Sequence, residues 1–103
     1  MRITTKEELF SQLQLHHTTL RSYGVRQYGV FGSFVRNEPH ETSDIDLLIE
    51  FKSGQKTFNN FMNVAFFLEE ILGRKVDILT KESLSPYIGP RILHEVEYVT
   101  LDT

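Results

Sequence analysis

Apolar positions recur along this chain in two rhythms, and each rhythm predicts a different element. Thr4 or Thr5 stands where a helix is capped, Glu7 and Glu8 fall in the first turn, and Leu9, Phe10, Leu13 and Leu20 supply an apolar stripe that Tyr23-Gly24 ends. The segment Val25-Arg26-Gln27-Tyr28-Gly29-Val30-Phe31 alternates in part, as a strand does, and Gly32-Ser33 breaks it. A short helix or turn through Phe34-Val35-Arg36 is expected next, stopping before Pro39.

Beyond a polar loop from 37 to 43, Asp44-Ile45-Asp46-Leu47-Leu48-Ile49-Glu50-Phe51 is rich in β-formers and reads as a central strand. Lys52-Ser53-Gly54-Gln55 is a turn. From Thr57 to Leu72, Phe58, Phe61, Met62, Ala65, Leu68, Ile71 and Leu72 fall three and four apart, which predicts an amphipathic helix with Gly73 as its C-cap. The phenylalanines of this helix cover more than one face, so Phe58 or Phe66 is left over for a partner surface. Lys75-Val76-Asp77-Ile78-Leu79-Thr80 is a short third strand. Ile88, Ile92, Leu93, Val96 and Val99 lie on one side of a final helix that starts near Ser85-Pro86 and is interrupted at Gly89-Pro90. This order predicts a small mixed β-sheet with helices on one face, in the α/β or α+β class. No repeat, low-complexity stretch or linker divides residues 1–103, which read as one domain.

Composition narrows the function classes. The 103 residues include no Cys, which excludes disulfides and cysteine-ligated zinc or iron–sulfur sites and suits a reducing, cytoplasmic compartment. The longest apolar run, Val64-Ala65-Phe66-Phe67-Leu68, is far short of the roughly 20 residues of a membrane helix. The N-terminus turns acidic where a secretory signal becomes apolar, so neither a membrane span nor export is indicated. Eleven scattered Lys and Arg face 14 Asp and Glu, for a net charge of −3, which argues against an extended nucleic-acid surface. His16, His17, His40 and His94 lack zinc-ligand spacing.

The chemistry concentrates between residues 32 and 46. Asp44 and Asp46 stand at i and i+2 on a strand, so both point to one face with attachment points roughly 6.6 Å apart, while Ile45 points into the core. Two carboxylates so placed repel each other, and a divalent cation resolves the conflict; hard Mg²⁺ takes carboxylate and phosphate oxygens. Asp77 lies in another strand between core-like neighbours and would complete a three-carboxylate cluster if the strands adjoin. Such a cluster holds two metal ions in displacements at phosphorus. Gly32, lacking a Cβ, admits a phosphate close to the backbone where a short helix opens. Ser33 adds a hydroxyl, and Arg36 a forked guanidinium for a polyphosphate. Set against this, Asp77 is also readable as a strand-edge acid paired with Lys75 or Arg74, Arg36 as a surface residue answering Glu38 or Glu41, and Ser43 as a turn cap as well as a substrate contact.

Gly-Ser, ten residues, then Asp-Ile-Asp resembles the signature of the polymerase-beta-type nucleotidyltransferases, and the run from Gly32 to Phe51 resembles their minimal (MNT) branch. The likeness extends from the first strand through Lys75-Thr80 to the segment Ser85–Tyr98. Asn37 departs from the Gly that usually follows the Arg, at a position where Asn tolerates left-handed geometry. The resemblance implies a polymerase-beta-like fold, with Gly32, Ser33 and Arg36 on the phosphates of ATP. Asp44 and Asp46 would hold Mg²⁺, and Asp77 would be the third carboxylate and metal ligand, near the attacking hydroxyl. It further implies an antitoxin that transfers AMP to a tyrosine of a HEPN ribonuclease toxin and so silences it. Two other functions fit the same residues: neutralisation of the toxin by contact alone, and transfer to a small molecule. The second is disfavoured because no further domain is seen to select such an acceptor. Without Asp44, Asp46 and Asp77 the chain carries 11 acids and 11 bases, so the acidity is local to the candidate site.

Overall fold

In the computed structural model, which describes residues 2–36, 38–40 and 42–99, four helices and four strands follow one another. They are α1 (Lys6–Leu15), α2 (His17–Ser22), β1 (Val25–Phe31), β2 (Ile45–Phe51), α3 (Phe58–Leu72), β3 (Val76–Thr80), α4 (Gly89–Glu95) and β4 (Glu97–Tyr98). Thr5 and Glu8 form a reciprocal cap on α1: the Thr5 hydroxyl accepts from the Glu8 N–H at 3.1 Å, and the Glu8 carboxylate accepts from the Thr5 N–H at 3.1 Å. The single first helix expected from the stripe is divided at His16, whose backbone leaves helical geometry. The His16 ring there meets Phe67 of α3 edge-on at 5.5 Å, while Leu13 and Leu20 on either side stay in the core.

The sheet order is β3-β2-β1-β4. Strands β1 and β2 are antiparallel, whereas β2 and β3 run parallel, joined by α3 as parallel neighbours require. Thr57 caps α3 by accepting from the Asn60 N–H, and Gly73 ends it in the left-handed conformation at φ 68°. Val64, Leu68 and Leu72 are its buried face, and Phe58 (78% exposed) and Phe66 (62%) stay at the surface, as the surplus of phenylalanines predicts.

Two corrections concern the end of the chain. First, helices cover both faces of the sheet. Ile45, Leu47 and Ile49 of β2 point with Val25, Tyr28 and Val30 into the main core, which takes in Leu9, Leu13, Leu20, Val64, Leu68 and Leu72. Leu48 points the other way and joins Phe31 and Ile92 of α4 in a second, smaller cluster. Second, the final helix starts at Gly89 rather than near Ser85, with Pro90 in its first turn, and stops at Glu95. Val96 turns extended, and β4 pairs antiparallel with the open edge of β1, Gly29 opposite Tyr98 and Val30 opposite Glu97. Val99, expected on the helix, is buried beyond β4, and its N–H donates to the Tyr28 carbonyl at 3.0 Å. Unpaired strand groups on β1 outweigh the helical spacing of Val96 and Val99. Consequently Ile88 and Leu93 are exposed, not core.

Candidate active site

The second face of the sheet carries the acids. Asp46 lies two residues before Leu48 on β2, so it shares that residue's face, and Ile45 is fully buried on the other side as alternation demands. In the parallel β2–β3 ladder Asp46 is the Cα partner of Asp77, which fixes the two carboxylates on adjacent strands at the same level. Asp44 precedes β2, and its carboxylate lies 4.0 Å from the Lys75 Nζ. Burial, and then the neighbouring Asp77 and Asp44 carboxylates, push the Asp46 carboxyl up to about 6.

Across the sheet, Phe31 is the β1 partner of Asp46, and the chain turns immediately after it in a short 3₁₀ segment, Gly32–Phe34. Gly32 has φ 78°, and a Cβ there would overlap the Asp46 carboxylate. Glycine is therefore required twice, for its backbone angle and for contact with the acid. The Gly32 N–H donates to Glu95 Oε2 at 2.9 Å, and Arg36 Nη1 donates to Glu95 Oε1 at 2.6 Å. One carboxylate at the end of α4 thus spans the turn and its arginine. Burial opposes ionisation of Glu95, but the Gly32 N–H and the Arg36 guanidinium outweigh it and hold its carboxyl below the usual range.

Arg74 braces the same region from below. It is 8% exposed, its guanidinium lies over the Phe34 ring, and it donates to the carbonyls of Ile3, His40 and Ser43 at 2.5, 2.9 and 2.8 Å. The loop that delivers Asp44 is tied through these bonds to the N-terminal segment and to the 3₁₀ turn. The Ser43 hydroxyl accepts from the His40 N–H at 2.7 Å and so closes the turn before Asp44.

The family model of the nucleotidyltransferase domain matches residues 14–99. The chain belongs to this family. As a nucleotidyltransferase it is 42% identical over 100 residues to the protein adenylyltransferase MntA of Thermococcus cleftensis, covering 96% of this chain and 100% of that relative. A solved structure described as a minimal nucleotidyltransferase superimposes with a TM-score of 0.79 at 31% identity, covering 91% of this chain and 95% of that one. A chain from a complex of the tri-AMPylated Shewanella oneidensis HEPN toxin with its MNT antitoxin superimposes with a TM-score of 0.64 at 15% identity, covering 95% and 74%, and shares the fold. The mixed sheet of this nucleotidyltransferase, with β2 and β3 parallel and β1 antiparallel to β2, is the polymerase-beta-like fold.

At this candidate site Gly32 lies against Asp46, Asp46 is in register with Asp77, and Arg36 is joined to Gly32 through Glu95, with Ser33 in the same turn. The three aspartates do not close into a finished cage: among the described residues no three carboxylate or imidazole groups are gathered as a metal site. Asp44 lies beside Lys75, and Asp77 is exposed. The donor set nevertheless fits a hard divalent cation, being all carboxylate oxygen, with the Asp46 carboxyl pushed up to about 6 by burial first and by the neighbouring acids next. Among the described residues Lys75 pairs with Asp44, Arg74 holds main-chain carbonyls, and Arg36 pairs with Glu95. Asn37 and Glu41 lie outside the described residues. Sequence reading missed Glu95 and the bracing by Arg74. The available signal for Glu95 was an acid three residues after Ile92, on the apolar stripe of its own helix.

Proposed function

We propose that this nucleotidyltransferase is a protein adenylyltransferase antitoxin that moves AMP from ATP to a tyrosine hydroxyl of a HEPN-domain ribonuclease toxin and thereby inactivates it. The observation that carries the reading is the contact of the Gly32 turn with Asp46, which stands in register with Asp77. A phosphate-sized space beside a glycine turn and a pair of strand-borne acids are what transfer at phosphorus needs in one place. The relationship to the Thermococcus adenylyltransferase supports the reaction, and the fold shared with the Shewanella antitoxin supports the kind of partner.

In this reading the Gly32 N–H, the Ser33 hydroxyl and the Arg36 guanidinium bind the phosphates of ATP and orient the α-phosphorus toward the acids. Asp44, Asp46 and Asp77 would hold Mg²⁺, one or two ions, which when bound neutralises phosphate charge and steadies the leaving pyrophosphate. The acceptor oxygen attacks the α-phosphorus as the bond to the β-phosphate oxygen breaks. Asp77, the exposed member of the acid pair, receives the hydroxyl proton. Arg36 stabilises charge that moves onto the pyrophosphate. Ser43 serves by closing the loop ahead of Asp44. The proposed setting is the cytoplasm, where ATP is supplied, and no helix among the described residues is long and apolar enough to cross a membrane.

The test is incubation of the full chain with ATP, Mg²⁺ and the HEPN-domain protein encoded beside it, read by intact mass. Gain of one or more AMP groups on a tyrosine, lost with Asp44→Ala combined with Asp46→Ala, is the expected result. An unmodified partner would overturn the reading. Protection of cells by the double variant at native expression would mark neutralisation by contact instead.

A further inference from the structure

The Gly32 N–H and the Arg36 guanidinium are the two donors best placed for a phosphate, and in the structure both are occupied by the same carboxylate. Glu95 meets them with two oxygens, as a phosphate group would. Its side chain is 22% exposed, and it sits at the wall of a small open cavity of about 180 Å³ between the turn and α4, with Phe31, Arg91 and Ile92 also lining it.

We propose that Glu95 is an internal competitor for the polyphosphate of the nucleotide and so determines how tightly, and how selectively, triphosphates bind. The inference rests on the reading of Gly32 and Arg36 as the phosphate seat. Two anions do not share one N–H and one guanidinium side, so a ligand that reaches Gly32 must displace the carboxylate. A landing place exists: Arg91 lies four residues earlier on α4, the spacing at which helix side chains meet, and it already attracts Glu95 electrostatically. The displaced carboxylate therefore exchanges one arginine for another. A ligand must bring enough negative charge to win Arg36, which a triphosphate does and an unphosphorylated nucleoside does not. Asp46 feels the negative charge of Glu95 as well, so removal of Glu95 from the turn also eases the crowding of acids at the site.

The experiment compares binding of ATP and of adenosine to the full chain by calorimetry, for the native protein, Glu95→Gln, Glu95→Ala and Arg36→Ala. Glu95→Gln keeps the shape of the side chain and removes its charge. It is expected to tighten ATP binding roughly tenfold, the worth of one charge-assisted hydrogen bond no longer broken, and to leave adenosine unchanged. Glu95→Ala should follow in the same direction, and thermal melts confirm that both variants are folded. Unchanged or weaker ATP binding in both Glu95 variants, with Arg36→Ala impaired, would overturn the competitor role and make Glu95 a positioning residue for Arg36. If Arg36→Ala binds ATP as well as the native chain, the phosphate seat itself is wrong, and the inference falls with it.

Discussion

Asp46 and Asp77 are partners across the parallel β2–β3 ladder, two carboxylates held at one level on adjacent strands. Burial first, and then the Asp77 and Asp44 carboxylates, raise the Asp46 carboxyl to about 6 from an ordinary 3.8. A folded-state value above the unfolded one means that the native protein holds a proton the unfolded chain has released. In metal-free protein, stability therefore declines as pH rises from about 4 to 6 and stays lower above that window. Asp46→Asn is expected to raise stability at pH 7.5 by on the order of 1 kcal/mol, after allowance for solvent screening, and the gain should vanish near pH 3.5. Paired denaturant melts at the two pH values check this; equal gains at both would contradict it.

Asp77→Asn removes one of the charges that crowd Asp46. The Asp46 carboxyl should then titrate lower, seen by carbon-detected NMR of the metal-free protein. If Asp77 receives the acceptor proton, transfer should lose on the order of a hundredfold in kcat while KM for ATP changes little. A variant that transfers AMP at the native rate removes Asp77 from the chemistry.

Gly32→Ala faces two obstacles, a left-handed backbone angle and overlap with the Asp46 carboxylate. The expected cost is about 2 kcal/mol or more of stability, with AMP transfer lost even at temperatures where the variant stays folded. Chemical denaturation and the mass assay together separate the two effects.

Arg74→Met keeps the length of the side chain over Phe34 and removes the donors that satisfy the carbonyls of Ile3, His40 and Ser43. Destabilisation of about 2 kcal/mol is expected, because the buried Ile3 carbonyl and two half-buried carbonyls lose their partner. Faster amide exchange in residues 42–45 than in β1 would locate the loosening in the loop that carries Asp44.

Tyr28→Phe tests the core apart from the site. The Tyr28 hydroxyl is buried, titrates up at about 12 because of that burial, and donates to the Leu13 carbonyl at 2.8 Å near the end of α1. Its removal should cost about 1 kcal/mol with no change in AMP transfer. A loss of transfer would instead tie the packing of α1 to the site.

Much of the candidate site was legible because its parts are close in sequence. Gly32, Ser33, Arg36, Asp44 and Asp46 lie within fifteen residues, and the spacing of two at the start of a strand marked both aspartates as candidates; Asp46 lies on β2 and Asp44 just before it. The Asp77 position was legible as a strand between apolar neighbours, but its alignment with Asp46 depends on the β2–β3 register. What escaped was carried by contacts far apart in the chain. Glu95 reaches Gly32 across 63 residues, and Arg74 reaches Ile3 across 71. Neither residue announces its partner by type or by spacing, since an acid and an arginine at the end of a helix are equally at home in solvent.

The sequence by itself determined the helices with strong caps and stripes, the three longer strands, and the chemical character of the site, because backbone propensity and side-chain periodicity act over a few neighbouring residues. Only the tertiary structure decided the break at His16, the second apolar cluster under α4, and the turn of Val96–Val99 from helix to strand. Each of those depends on a surface that exists only after other elements have assembled: the Phe67 ring, the far face of the sheet, the open edge of β1. The capture of the Gly32 turn by Glu95 belongs with them, since a backbone N–H and a guanidinium 59 to 63 residues from that acid meet it only when α4 packs on the face of the sheet beside the end of β1.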